Sequence, residues 1–228
     1  QVLNPRLETH HLLEMQDVAP DRKITGQPRV DDQPLLDVRN LSIDYKVEGS
    51  APLHAVQDVS FSLRPGELLG LVGESGCGKT TLMMALMRLL PNNGMVTQGE
   101  IFFQGCDLLS LDEAQIEDVR WKDIAMVFQG AMNALNPVRR VGDQIAEGIR
   151  VHLKITEPKG LDARVVELLE LVGIAPNRKD DYPHQYSGGM RQRAMIAMAL
   201  ACQPKVIIAD EPTTALDVTI QAQILDLM

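Results

Sequence analysis

Between Leu35 and Leu63 apolar and polar positions alternate. "LLDVRNLSIDYKV" and "HAVQDVSFSL" have the period of two that predicts strands, with "EGSAP" as the turn between them. "ELLGLV", residues 67–72, is instead a short continuous apolar run, which predicts a strand buried on both faces. "GEIFFQG" and "DIAMVF" read as further strands, and "LMMALMRLL" as a buried helix. A helical period then takes over. In "DARVVELLELVG", Val165, Leu168, Leu169 and Val172 stand at i, i+3, i+4 and i+7, one helix face closed by Gly173. "VGDQIAEGIRVHL" is predicted to be helical too, and Met190, Ala194, Ala197, Met198 and Ala201 share a helical face. "KVIIAD" returns to a buried strand.

The order is strands, a βα unit, a helical insert and a second βα unit. It predicts an α/β fold with a parallel sheet and a helical lobe. Residues 1–34 keep no sustained period and are rich in polar residues and proline, so they are expected to be a flexible extension, with a short helix over Leu7–Met15. There is no internal repeat.

Composition narrows the partners. With 22 Lys and Arg against 31 Asp and Glu, the net charge of −9 argues against a general nucleic-acid binder. It leaves room for a local anion site built from backbone dipoles. The three cysteines, Cys77, Cys106 and Cys202, are scattered with no CxxC, which speaks against a disulfide framework or zinc site and for a reducing compartment. Apolar stretches fall short of the ~20 residues of a membrane helix, and no signal peptide is visible. If the protein serves a membrane, a partner must hold it there. The chain opens on Gln1 rather than Met and ends at Met228 inside the apolar-periodic "TIQAQILDLM", with Ile220, Ile224 and Leu227 in register. It is expected to be a piece of a longer chain.

The candidate chemistry begins at residues 73–81, "GESGCGKTT". Gly73, four residues, then Gly78-Lys79-Thr80 is the phosphate-binding loop pattern, set between an expected strand and an expected helix. Bare backbone lets successive N–H groups turn inward around a phosphate, and the helix N-terminus adds favourable dipole. Lys79 is expected to reach the β- and γ-phosphates, and the Thr80 hydroxyl to ligate Mg²⁺. Glu74, Ser75, Gly76, Cys77 and Thr81 complete the cradle. Cys77 reads as a filler of a small-residue position, with a redox switch as the alternative.

"VIIADE" brings two carboxylates to the end of a buried strand. Asp210 is placed to hold Mg²⁺ and Glu211 to accept a proton from attacking water. Gln129, after "IAMVF", can orient water and sense Mg²⁺. "YSGGMRQR" offers Ser187, Gly188 and Gly189 at the start of a helix, the parts of a second anion site or of a plain N-cap.

Together these residues resemble the nucleotide-binding subunit of an ATP-binding cassette (ABC) transporter. Gly73–Thr81 resembles its Walker A loop, Gln129 its Q-loop and Ser187-Gly188-Gly189 its signature motif, with Tyr186 and Met190 where the commonest form has Leu and Gln. Asp210-Glu211 resembles Walker B, and Ala215-Leu216-Asp217 the D-loop. "NALNPVRRVGDQIAE", "DYPHQYSGGMRQRAMIAMALAC" and "ADEPTTALDVTIQAQILDL" are similar to the ATPase subunits of dipeptide and oligopeptide importers. The resemblance runs from about Leu35 to Met228.

It implies a P-loop NTPase core with an N-terminal antiparallel β part and a helical subdomain, the C-terminal end of the cassette missing. The implied organisation is an extension over 1–34, a nucleotide-binding core over 35–130, a helical subdomain over 131–186, and the signature helix, Walker B strand and D-loop over 187–228. It implies ATP and Mg²⁺ as cofactors, and Tyr45 stacked on adenine, a packed strand tyrosine being the alternative. The implied partners are a second, homologous ATPase in a heterodimer, two membrane permeases and, indirectly, a substrate-binding protein. The implied location is peripheral, on the cytoplasmic face of the cell membrane. The family's switch histidine has no counterpart: His10, His11, His54, His152 and His184 all precede Asp210. An ABC ATPase of DNA repair or translation is the alternative, and a P-loop kinase a further one; kinases lack the Ser-Gly-Gly helix and the paired Asp-Glu.

Overall fold

The computed structural model describes residues 33–128 and 135–212. The expected extension and its helix over Leu7–Met15, with Gln129, Ala215-Leu216-Asp217, Ile220, Ile224 and Leu227, lie outside the described residues. The chain divides into two compact units, one up to Leu111 and one from Asp112.

The first unit is built on β1 (Leu36–Tyr45), β2 (Leu53–Leu63), β3 (Gly94–Phe103) and the short β4 (Cys106–Asp107). They form one antiparallel sheet in the order β2-β1-β3-β4. The strands expected from the two alternating stretches and from "GEIFFQG" are present, β3 beginning earlier than its apolar stretch suggested.

The alternation along β1 hides an irregularity. Leu36 and Val38 are buried, and so are Leu41 and Ile43, although the two pairs differ in parity. A bulge between Val38 and Leu41 restores the face, with Asn40 left-handed at φ 47°. Asn40 Nδ2 donates to Asp58 Oδ1 across the pair, and Gly99 lies opposite, where a Cβ would stand 2.5 Å from Arg39 O. Helix α1 (Lys79–Leu86) buries Leu82, Met83, Ala85 and Leu86.

One strand expectation fails. Residues 67–72 take no regular structure, Leu68 is 92% exposed, and Leu69 and Val72 are exposed as well. A continuous apolar run becomes a buried strand only where a sheet takes it up, and no strand among the described residues pairs with it.

The second unit holds the expected parallel sheet, reduced to two strands: β5 (Ile124–Val127) paired with β6 (Val206–Ala209). Around it run α2 (Glu113–Val119), α3 (Val141–His152), α4 (Pro158–Leu171) and α5 (Gly188–Leu200). Leu168 and Leu169 are fully buried in one core with Val127, Ile145, Ile149, Ile196 and Ala197. Full burial of each such aliphatic side chain is worth about 1.5–3 kcal/mol. Gly173 closes α4 at φ 68°, the left-handed position its sequence foretold. Helix α2 went unread in the periodicity: it is too short to show a period and is announced only by a capping box, Asp112 with Gln115.

Candidate functional site

In the first unit, residues 73–78 form a loop that runs into α1, with Gly76 at φ 80° and Gly78 at φ 95°. Gly78 is the N-cap of α1 and offers no side chain to its orphan N–H groups. A Cβ there would meet Ala55 O of β2 at 2.4 Å, and one at Gly73 would meet Cys77 Sγ at 2.6 Å. Glycine is therefore required at 78 by both conformation and space. Lys79 folds back along the loop, Nζ donating to Gly73 O at 2.7 Å and to Glu74 O at 2.8 Å. Cys77 Sγ lies 3.5 Å from the same ammonium. A loop of small residues with an ammonium on its own carbonyls and a helix start behind it suits a phosphate.

The Tyr45 hydroxyl stands 3.2 Å from Thr81 Oγ1, and its ring lies against Gly94, where a Cβ would come within 2.8 Å of it. Tyr45 thus ties the end of β1 to the first turn of α1 and remains partly exposed. Glu74, Ser75 and Thr80 are exposed on or beside the loop.

The second unit carries the other group of candidate residues. Strand β6 ends at Ala209; Asp210 follows it, buried, and its backbone N–H donates to Val127 O at 2.9 Å, continuing the parallel ladder. Glu211 follows at φ 48°, exposed, in a left-handed turn that a non-glycine residue adopts at a cost of ~1 kcal/mol or more. Ser187 caps α5, Oγ accepting from Met190 N at 3.2 Å, so the plain N-cap role is realised. Gly188 has open space around it and Gly189 is partly exposed.

Several supporting residues were missed in the sequence. Gln192, 2% exposed, donates to Pro212 O at 2.6 Å and so binds α5 to the turn after Asp210-Glu211. Gln144, 4% exposed, donates to Asn136 O and Arg139 O and accepts from Asn136 N, holding the loop that precedes α3. Both are glutamines on otherwise apolar helix faces, a pattern that signals a buried polar clamp. Tyr186 is buried, and its hydroxyl donates to Arg178 O at 2.9 Å. Burial pushes its phenol up to about 12. Among the described residues, no group of three or more His, Cys, Asp or Glu could hold a metal ion, and no helix is long and apolar enough to cross a membrane.

The family profile described as "ABC transporter" matches residues 56–214. A probable peptide ABC transporter ATP-binding protein of Sinorhizobium fredii is 52% identical over 197 residues, 85% of this chain and 58% of its own length. The oligopeptide transport ATP-binding protein of Bacillus subtilis is also 52% identical over 197 residues, 85% of this chain and 54% of its own length. The chain thus spans little more than half the length of these curated relatives. A solved ATP-binding cassette, dimeric in a post-hydrolysis state bound to ADP and Pi, is similar at TM-score 0.73 and 28% identity, covering 84% of this chain and 80% of the other. A dimeric bacterial ABC transporter cassette is similar at TM-score 0.77 and 27% identity over the same shares. The chain belongs to the ABC transporter family and has the ABC ATPase cassette fold.

Proposed function

We propose that this member of the ABC transporter family is the energy-coupling ATPase subunit of an importer for peptides or related small solutes. The carrying observation is the Lys79 ammonium laid along a glycine loop at the start of α1. The buried Asp210 and left-handed Glu211 at the end of β6 support the reading.

In this reading Lys79 leaves the carbonyls of Gly73 and Glu74 for the β- and γ-phosphates of ATP, and residues 74–78 donate backbone N–H groups to them. The Thr80 hydroxyl, the Asp210 carboxylate and Gln129 would hold Mg²⁺. That ion, when bound, neutralises charge on the phosphates. Glu211 takes a proton from the attacking water, Gln129 orients that water, and Tyr45 meets the adenine. Ser187, Gly188 and Gly189 face the nucleotide of a second, homologous ATPase subunit, as the dimeric state of the similar solved cassettes suggests.

Two membrane permeases then hold the protein at the cytoplasmic face of the membrane, and a substrate-binding protein acts on them from the other side. The names of the relatives, peptide and oligopeptide transport proteins, support peptides as the cargo. Affinity purification of the full-length protein from its own membranes tests this. Recovery of integral membrane subunits with peptide-stimulated phosphate release is expected. A soluble ATPase bound to DNA or ribosomes would overturn the transport reading.

A further inference from the structure

Helix α3 starts without a side-chain cap of its own. Its first N–H groups need acceptors all the same. Val141 N donates to Asp181 O at 3.0 Å and Gly142 N to Lys179 O at 2.9 Å. The acceptors belong to the segment that leads into Ser187, so this segment's backbone serves as the cap. Arg140, the N-cap residue, adds an ion pair with Asp180 of the same segment at 3.3 Å.

Position 142 must be bare for this to happen. A Cβ there would stand 2.9 Å from Lys179 O and 3.1 Å from Lys179 Cβ. Glycine inside a helix costs up to about 1 kcal/mol relative to alanine, so its presence in a buried first turn fits a close backbone approach.

From Lys179 the contacts run on to the signature serine. Arg178 donates to Gln185 O at 2.8 Å, and the Tyr186 hydroxyl donates back to Arg178 O. Arg191 donates to Tyr186 O at 2.8 Å, and Ser187 then caps α5. On the other side, Gln144 fixes residues 136–140 on α3. An unbroken series of direct contacts therefore joins the first turn of α3 to Ser187, all inside one compact unit.

We propose that Arg140 and Gly142 form a latch that sets the position of Ser187, making them positioning residues for hydrolysis at the partner ATPase's nucleotide. The latch rests on the reading above that Ser187 acts across the subunit interface. It predicts a loss in turnover without a loss in the chain's own nucleotide binding, because neither latch residue belongs to the Lys79 loop.

The test uses the full-length protein assembled with its partner subunits. Gly142→Val is expected to lower kcat tenfold or more, with KM for ATP and the affinity of the chain's own loop for a fluorescent ATP analogue within twofold of wild type. Gly142→Ala should give a smaller drop in the same direction. Arg140→Ala should also lower kcat, and Arg140→Lys, which keeps the pair with Asp180, should recover most of it; these two decide the matter if Gly142→Val fails to fold. Ser187→Ala is the reference for a displaced serine. Unchanged kcat in Gly142→Ala and Arg140→Ala alongside an impaired Ser187→Ala would overturn the latch alone. Unchanged kcat in Ser187→Ala would overturn the latch together with the reading of Ser187. A raised KM with kcat intact would also overturn it, since that is a disturbance of the chain's own site.

Discussion

At the scale of single residues, the proposed reading assigns binding and chemistry to different side chains. The Lys79 ammonium is held by two carbonyls of its own loop, and a charge-assisted bond of this kind contributes about 1.5–3 kcal/mol. Glu211 sits exposed at a strained position just after β6. The two substitutions should therefore differ in kind. Lys79→Ala should weaken MgATP binding roughly tenfold to a hundredfold, read by equilibrium titration with a fluorescent analogue. Glu211→Gln should bind normally and lose roughly 10²–10⁴ in hydrolysis, read by phosphate release. Wild-type affinity in the first variant would count against the phosphate site, and wild-type turnover in the second against Glu211 as base. Gly78 shows why such residues were legible in sequence: its role is conformational, and only glycine fills it. Gln192 and Gln144 were not, because a glutamine becomes a clamp only once the partner backbone has folded against it.

At the scale of elements, sequence period succeeded where one face decides the structure and failed where pairing does. Helix α4 shows the first case: its four apolar positions are all buried and Gly173 ends it. Residues 67–72 show the second, since nothing local distinguishes a strand from an apolar segment without a partner. The contact between α3 and the turn before β5 was invisible for the same reason. Trp121, left-handed at φ 67°, donates Nε1–H to Met198 O and lies so close to Gly148 that a Cβ there would come within 2.6 Å of the ring. His152, at the end of α3, packs against it with ring centroids 5.9 Å apart. Burial lowers the His152 pKa below its ordinary 6.5, Lys122 adds to this and Asp118 opposes it. A folded pKa below the unfolded one means that this histidine's contribution is present above pH 6.5 and lost as pH falls through the folded value. Trp121 is the only tryptophan in the chain, so its emission reports the event. Emission is expected to fall with a midpoint below pH 6.5, and His152→Gln should remove the step. A midpoint above 6.5 would contradict the burial of His152.

At the scale of the molecule, an apolar segment and a net charge oppose one another. Leu68, Leu69 and Val72 are exposed within six residues, an apolar patch that favours self-association. The net charge of −9 at pH 7 works against association by mutual repulsion. That repulsion vanishes near the pI of about 5.0, while the apolar patch is unaffected by pH. Light scattering of the protein should therefore rise as pH is lowered from 7 towards 5, and added salt at pH 7 should raise it by screening the charge. Leu68→Asp should reduce scattering at pH 7 and leave the melting temperature within a few degrees, because a side chain 92% exposed contributes little to folding. The same substitution separates the two descriptions of residues 67–72. If the segment were the strand buried on both faces that its apolar pattern suggests, an aspartate at 68 would bury an unpaired charge, and the melting temperature would fall sharply. An unchanged melting temperature with lower scattering fits the exposed segment, and a collapse in stability would restore the strand.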